Sequence, residues 1–211
     1  MLKGFIFDLD GVLVFTDKFH YQAWKKMADK MGIYFDEEIN NRLRGVSRMD
    51  SLEIILERYD GEPLTQEQKE ALAAEKNESY RELLSTMTPA DVTDEVRDTL
   101  AELRARGYKL ALGSSSKNAK YILERVALTD AFDAISDGTN ITRSKPDPEV
   151  FLKAAEFLGL QPADCAVVED AEAGIDAAKA GGMLACGIGE AATYAKTDRP
   201  LTTFADLLKV E

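Results

Sequence analysis

Two carboxylates close a short apolar run near the start of the chain, in the order Phe5-Ile6-Phe7-Asp8-Leu9-Asp10-Gly11. Side chains at i and i+2 of an extended segment share a face, so Asp8 and Asp10 emerge together, and Gly11 lets the backbone bend sharply after them. A second acidic pair, Glu169-Asp170, ends the apolar run at residues 166–168. Either pair alone also reads as acids at a turn or a helix cap. Together, four carboxylates at neighbouring strand ends would repel one another without a cation. A hard divalent ion with oxygen ligands meets that need, and Mg2+ is the expected one where carboxylates face phosphate.

Two further clusters supply the opposite charge. Leu112-Gly113-Ser114-Ser115-Ser116-Lys117-Asn118 places three hydroxyls and an ammonium between an apolar run and a helical pattern, a composition suited to an anion or to a plain helix cap. In Ser144-Lys145-Pro146-Asp147-Pro148, Pro146 biases Lys145 toward extended backbone. An ammonium held there balances charge between carboxylates and a phosphate. Asp8, ionised at neutral pH, is a sensible nucleophile toward phosphorus, and the acyl phosphate it forms is a good donor for a second transfer.

Strand-like apolar runs at residues 1–10, 109–113, 134–136, 166–168 and 184–188 must position these groups. Helical patterns separate most of them, as with Val96, Leu100 and Leu103 before Gly107. Alternating strand and helix predicts an α/β fold, a Rossmann-like core with a mostly parallel sheet covered on both faces. Ligands then bind beyond the carboxyl ends of the strands. One stretch breaks the alternation. From about residue 17 to 87 the stripes are helical: His20, Trp24, Met27 and Met31, then Leu52, Ile55, Leu56 and Tyr59, then Leu72, Lys76, Tyr80 and Leu83. They predict an inserted α-helical cap domain over residues 16–87, with the core formed by 1–15 and 88–211. His20, Trp24 and Lys76 read either as packed helix residues or as groups facing a ligand.

Hydrophobic residues make up 45% of the 211, enough for a real core, and the net charge of -12 disfavours nucleic acid and anionic membrane as partners. No apolar run approaches the ~20 residues of a membrane span, and no secretory signal is read, so a cytoplasmic location is expected. Cys165 and Cys186 match no metal spacing and read as buried free thiols.

The order acidic pair, hydroxyl, lysine, acidic pair, each beside a strand end, resembles the haloacid dehalogenase-like superfamily over nearly the whole chain. The resemblance implies Asp8 as nucleophile, Asp10 as general acid and base, and Ser114 and Lys145 as stabilisers of the phosphoryl group. It implies metal ligation by Asp8, Asp10 (through its backbone carbonyl), Glu169 and Asp170. A narrower set, including His20 with Trp24, the run from Arg44 through Gly45, Val46 and Ser47 to Arg48, Lys76-Asn77 and Ser116-Lys117-Asn118, is similar to the β-phosphoglucomutase family. That similarity implies interconversion of β-D-glucose 1-phosphate and glucose 6-phosphate by a phospho-aspartyl monomer, with glucose 1,6-bisphosphate as intermediate and activator. It implies sugar-phosphate contacts from Thr16, His20, Trp24, Gly45, Val46, Ser47, Arg48, Ser51, Lys76, Ser115, Ser116, Lys117 and Asn118. Phe15 departs from the family pattern, in which an Asp is common. A sugar-phosphate phosphatase of the same superfamily is the competing reading, and a non-catalytic phosphate-binding module is a third.

Overall fold

The computed structural model describes residues 1–211. Its elements run β1 (Gly4–Phe7), α1 (Asp17–Lys30), α2 (Glu37–Asn41), α3 (Arg48–Leu56), α4 (Gln66–Leu84), α5 (Asp94–Ala105), β2 (Lys109–Gly113), α6 (Ala119–Arg125), β3 (Ala134–Ser136), α7 (Glu149–Leu158), β4 (Cys165–Glu169), α8 (Glu172–Ala180), β5 (Leu184–Gly187) and β6 (Arg199–Pro200). Six strands form one parallel sheet in the order β3-β2-β1-β4-β5-β6. The α/β expectation therefore stands.

The two-residue strand period sorts the sheet's side chains into two cores. Phe5, Phe7, Leu110, Leu112, Ala166 and Val168 pack with α5 and α6 on one face. Ile6, Ala111, Cys165, Val167 and Ala185 pack with α7 and α8 on the other. Both faces are covered, which is why these strands read as continuous apolar runs. Both cysteines are buried free thiols, as expected. Gly107 and Gly159 stop α5 and α7 with positive φ of 88° and 67°, a conformation that costs a side-chain-bearing residue but not glycine.

The four helices between β1 and α5 carry their own cluster, built on Trp24, Met27, Ile33, Phe35, Leu52 and Ile55. α4 starts where Thr65 and Gln68 cap each other reciprocally, with Gln68 N donating to Thr65 Oγ1 at 3.2 Å and Thr65 N to Gln68 Oε1 at 2.8 Å. The stripe read on this helix is displaced. Ala73, Lys76, Tyr80 and Leu84 are the buried residues, whereas Leu72 and Leu83 lie half-buried at the margin. Two strands are also shorter than the apolar runs that announced them, since β1 spans Gly4–Phe7 and β5 ends at Gly187. No helix is long and apolar enough to cross a membrane.

Candidate active site

Register brings the functional loops together. Phe7 pairs with Leu112 on one side and Val168 on the other, so Asp8, Ser114 and Glu169 meet at one edge of the sheet. Asp8 N still donates to Val168 O at 3.0 Å, which fixes where the chain leaves the sheet. Lys145 lies buried between two acids. Its Nζ is 2.6 Å from Asp8 Oδ1 and 2.5 Å from Glu169 Oε1. Burial alone would lower the Lys145 pKa, but Asp8 and Glu169 outweigh it and hold it above the ordinary lysine value. The other Glu169 oxygen accepts from Asp170 N and Ala171 N, both at 3.0 Å.

Asp170 caps nothing. The N-cap of α8 is Ala171, with no side-chain cap bond. Asp8, Glu169 and Asp170 each offer an oxygen within 4.8 Å of the others. Burial, then Glu169, then Asp8 push Asp170 up to about 8, and burial also raises Glu169. One ammonium does not compensate three clustered carboxylates, and the all-oxygen donor set fits a hard dication. Gly11, at φ 82°, makes room for this cluster, because a Cβ there would lie 2.0 Å from Asp170 Oδ2.

Asp10 differs from its neighbours. Expected to ligate a metal through its backbone carbonyl alone, it has its carboxylate outside that cluster, where Thr16 Oγ1 donates to its Oδ1 in a short hydrogen bond. Thr16 in turn accepts from the Tyr80 hydroxyl at 3.2 Å. Burial and the Asp8 charge raise Asp10 to about 7, the range a general acid and base needs near neutral pH. Thr16 itself is fully buried and does not line the cavity, so it orients Asp10 rather than facing a ligand.

A cavity of about 850 Å³ lies between the sheet edge and the helical insertion. Every other residue expected to contact substrate lines it: His20, Trp24, Gly45, Val46, Ser47, Arg48, Ser51, Lys76, Ser115, Ser116, Lys117 and Asn118. Lys76 is buried at the centre of an aromatic cage, 4.6 Å from the Trp24 ring centroid and 4.5 Å from that of Tyr80. It donates to His20 Nδ1 at 3.0 Å, and His20 stacks on Tyr80 at 4.1 Å. Burial, with Arg48 nearby, lowers Lys76 to about 7 and pushes His20 well below its usual range. Arg48, also lowered by burial, donates to Asn77 at 2.8 Å.

Sequence reasoning passed over Asn77, Tyr80, Arg44 and Glu190 as site residues. Arg44 joins the insertion to the rest of the chain, 3.6 Å from Asp17 and 3.4 Å from Glu190. Tyr80 stood on the helical stripe with Lys76, and that shared face was the available signal. Glu190 lies in a stretch with no periodic pattern.

Residues 2–182 match the model of the haloacid dehalogenase-like hydrolases, and the chain belongs to that family. It is 44% identical over 207 residues to a β-phosphoglucomutase of Bacillus subtilis, covering 98% of this chain and 92% of that protein. The crystal structure of a β-phosphoglucomutase from Clostridium difficile superposes with a TM-score of 0.92 at 37% identity, over 98% of this chain and 93% of that one. A fructose-1-phosphate phosphatase of Escherichia coli is 33% identical, covering 85% and 93%.

Proposed function

We propose that this chain is a β-phosphoglucomutase, interconverting β-D-glucose 1-phosphate and glucose 6-phosphate through a phospho-aspartyl group on Asp8 and a glucose 1,6-bisphosphate intermediate. The observation that carries this reading is that one cavity is lined both by Asp8, Ser114 and Lys145 and by a second set of phosphate-suited groups, Arg48, Ser116, Lys117 and Asn118. On this reading the first set takes the transferring phosphoryl group and the second holds the distal phosphate. A phosphatase needs one phosphate site, but a mutase must hold a second phosphate while the first is transferred. A volume of about 850 Å³ suits a hexose with a phosphate at each end.

Phosphorylated Asp8 gives its phosphoryl group to the C6 hydroxyl of β-glucose 1-phosphate while Asp10 takes the hydroxyl proton. The resulting bisphosphate turns end for end. Asp8 attacks the C1 phosphoryl group, the C1–O bond stays with the sugar, and Asp10 returns the proton to the leaving oxygen as glucose 6-phosphate forms. Lys145 and Ser114 offset the charge on the equatorial oxygens in both transfers. Asp8, Glu169, Asp170 and the Asp10 carbonyl would hold Mg2+, which supplies further charge neutralisation. Residues 16–87 serve as the cap that closes on the core of residues 1–15 and 88–211 and keeps water from the acyl phosphate. Gly45 O accepting from Ser115 Oγ at 3.4 Å is one contact across that boundary.

The test is direct. The protein is given β-glucose 1-phosphate, Mg2+ and a trace of glucose 1,6-bisphosphate, and glucose 6-phosphate and free phosphate are followed together. Glucose 6-phosphate forming far faster than free phosphate is expected, and free phosphate as the main product would make the protein a phosphatase.

A further inference from the structure

Asn77 is half-buried on α4, next in sequence to Lys76 but outside the aromatic cage. Its side-chain oxygen accepts twice. Arg48 Nη2 donates to it at 2.8 Å from α3, and Asn118 Nδ2 donates at 3.0 Å from the loop after β2. The Asn118 amide cannot turn over without loss, because its own oxygen takes a bond from Arg81 Nη1 at 3.2 Å. Arg81 is seated by the Tyr121 ring, 4.4 Å from its guanidinium carbon. One neutral carbonyl oxygen therefore joins two helices of the insertion to the sheet core at the distal end of the cavity.

The chemistry of that acceptor matters. Arg48 is partly desolvated and no carboxylate pairs with it. An amide oxygen fixes the guanidinium fork without cancelling its charge, so the remaining N–H groups stay available to an anion. A carboxylate in the same place would hold the fork as well and neutralise it. The bond from Asn118 crosses between core and insertion, so it forms only when the two are together.

We infer that Asn77 is a positioning residue for the distal phosphate of a sugar phosphate: it aims Arg48 and ties that aim to closure of residues 16–87 on the core. This rests on the reading of Arg48 as part of a distal phosphate site. Oriented binding at a remote group contributes to turnover as well as to affinity.

Four variants, Asn77→Ala, Asn77→Asp, Arg48→Ala and the Arg48→Ala/Asn77→Ala double, test the inference. For each, KM and kcat are measured for β-glucose 1-phosphate, alongside the rate of Asp8 phosphorylation by acetyl phosphate, which has no distal phosphate. Asn77→Ala should lower kcat/KM roughly tenfold, the scale of one hydrogen bond to a charged group. It should leave acetyl phosphate reactivity within about twofold, since that donor uses only the proximal end. Asn77→Asp, although isosteric, should be the more damaging single change at this position, the reverse of the order a purely structural role gives. The double variant should match Arg48→Ala, because Asn77 acts through Arg48. An Asn77→Asp enzyme better than Asn77→Ala, additive losses in the double, or equal slowing with acetyl phosphate would each overturn the inference while leaving the mutase reading intact. Normal sugar-phosphate kinetics in Arg48→Ala would remove both the distal site and the inference.

Discussion

Lys76 gives the clearest link between a buried charge and stability. The residue is 3% exposed, and its ammonium is caged by Trp24 and Tyr80, bonded to His20 and repelled by Arg48. Asp10 is the one acid whose charge favours it. The Lys76→Met variant keeps the length and apolar stem and removes the charge. The native pKa of about 7 against 10.5 for the free side chain corresponds to roughly 5 kcal/mol at ~1.36 kcal/mol per pH unit, counted against the protonated native state. Losing the donor to His20 Nδ1 costs about 1–3 kcal/mol in the opposite direction. A net gain in stability of about 2–4 kcal/mol follows for the variant at pH 6.

The sign of the pH dependence follows from linkage. The folded-state pKa is depressed, so between pH 7 and 10.5 the unfolded chain binds the Lys76 proton and the native state does not. Stability of the natural protein rises with pH over that window through this group, and the burden of the buried charge is fully present below pH 7. The advantage of Lys76→Met should thus be largest near pH 6 and shrink toward pH 10. Taking the difference between the two proteins cancels the carboxylates other than Asp10, which is coupled to Lys76 and keeps a share in the difference. Urea unfolding midpoints at pH 6 and 9.5 measure it, and a gap that is absent at pH 6 or constant with pH would refute the reasoning. The variant should isomerise sugar phosphate poorly, the usual exchange of stability against function at a strained site.

Three shorter predictions follow from the proximal end. Asp8→Asn should abolish turnover and phosphorylation by acetyl phosphate while folding normally, since the amide is nearly isosteric but a poor nucleophile; a near-natural rate by direct assay would remove Asp8 from its role. Chelation with EDTA should stop turnover and Mg2+ should restore it, whereas full activity in metal-free buffer would contradict the carboxylate cluster as a metal site. Gly174→Ala should be inactive and lose about 2–4 kcal/mol despite alanine's ~1 kcal/mol helix advantage, because the new Cβ would sit 1.9 Å from Glu169 Cδ and break the buried pair with Lys145; unfolding midpoints equal to those of the natural protein would show that Glu169 moves freely.

The proximal site was legible because its residues sit where local pattern is strongest. A buried parallel strand is an uninterrupted apolar run, so a carboxylate or hydroxyl that ends one stands out, as Asp8, Ser114 and Glu169 do. The shape of the insertion was legible too, but not its faces. On α4 the apolar contacts are made partly by Ala73, whose small side chain marks no stripe, and the outer leucines drew the reading one position round. α2 has five residues, too few for a helical period to show. β6 is two residues long and includes Pro200, so neither alternation nor propensity reveals it. Asn77 escaped as a site residue, and Thr16 was read as a substrate contact and not as a partner of Asp10, for a different reason. Their roles lie in bonds to residues 41 and 6 positions away, and composition carries no record of such partners.

The two ends of the cavity are unbalanced in opposite senses, and that asymmetry argues more than the total charge of -12. At the sheet edge, acids titrate high: Asp10 near 7, Asp170 near 8, Glu169 raised as well. Beneath the helices, bases titrate low: Lys76 near 7 and Arg48 depressed. Burial drives both shifts, and like charge deepens them where Asp8 faces Asp10 and Arg48 faces Lys76. Each end therefore lacks the charge it does not itself provide. A dication would relieve the first and an anion such as phosphate the second, and screening at physiological salt keeps the distant surface acids from opposing that anion.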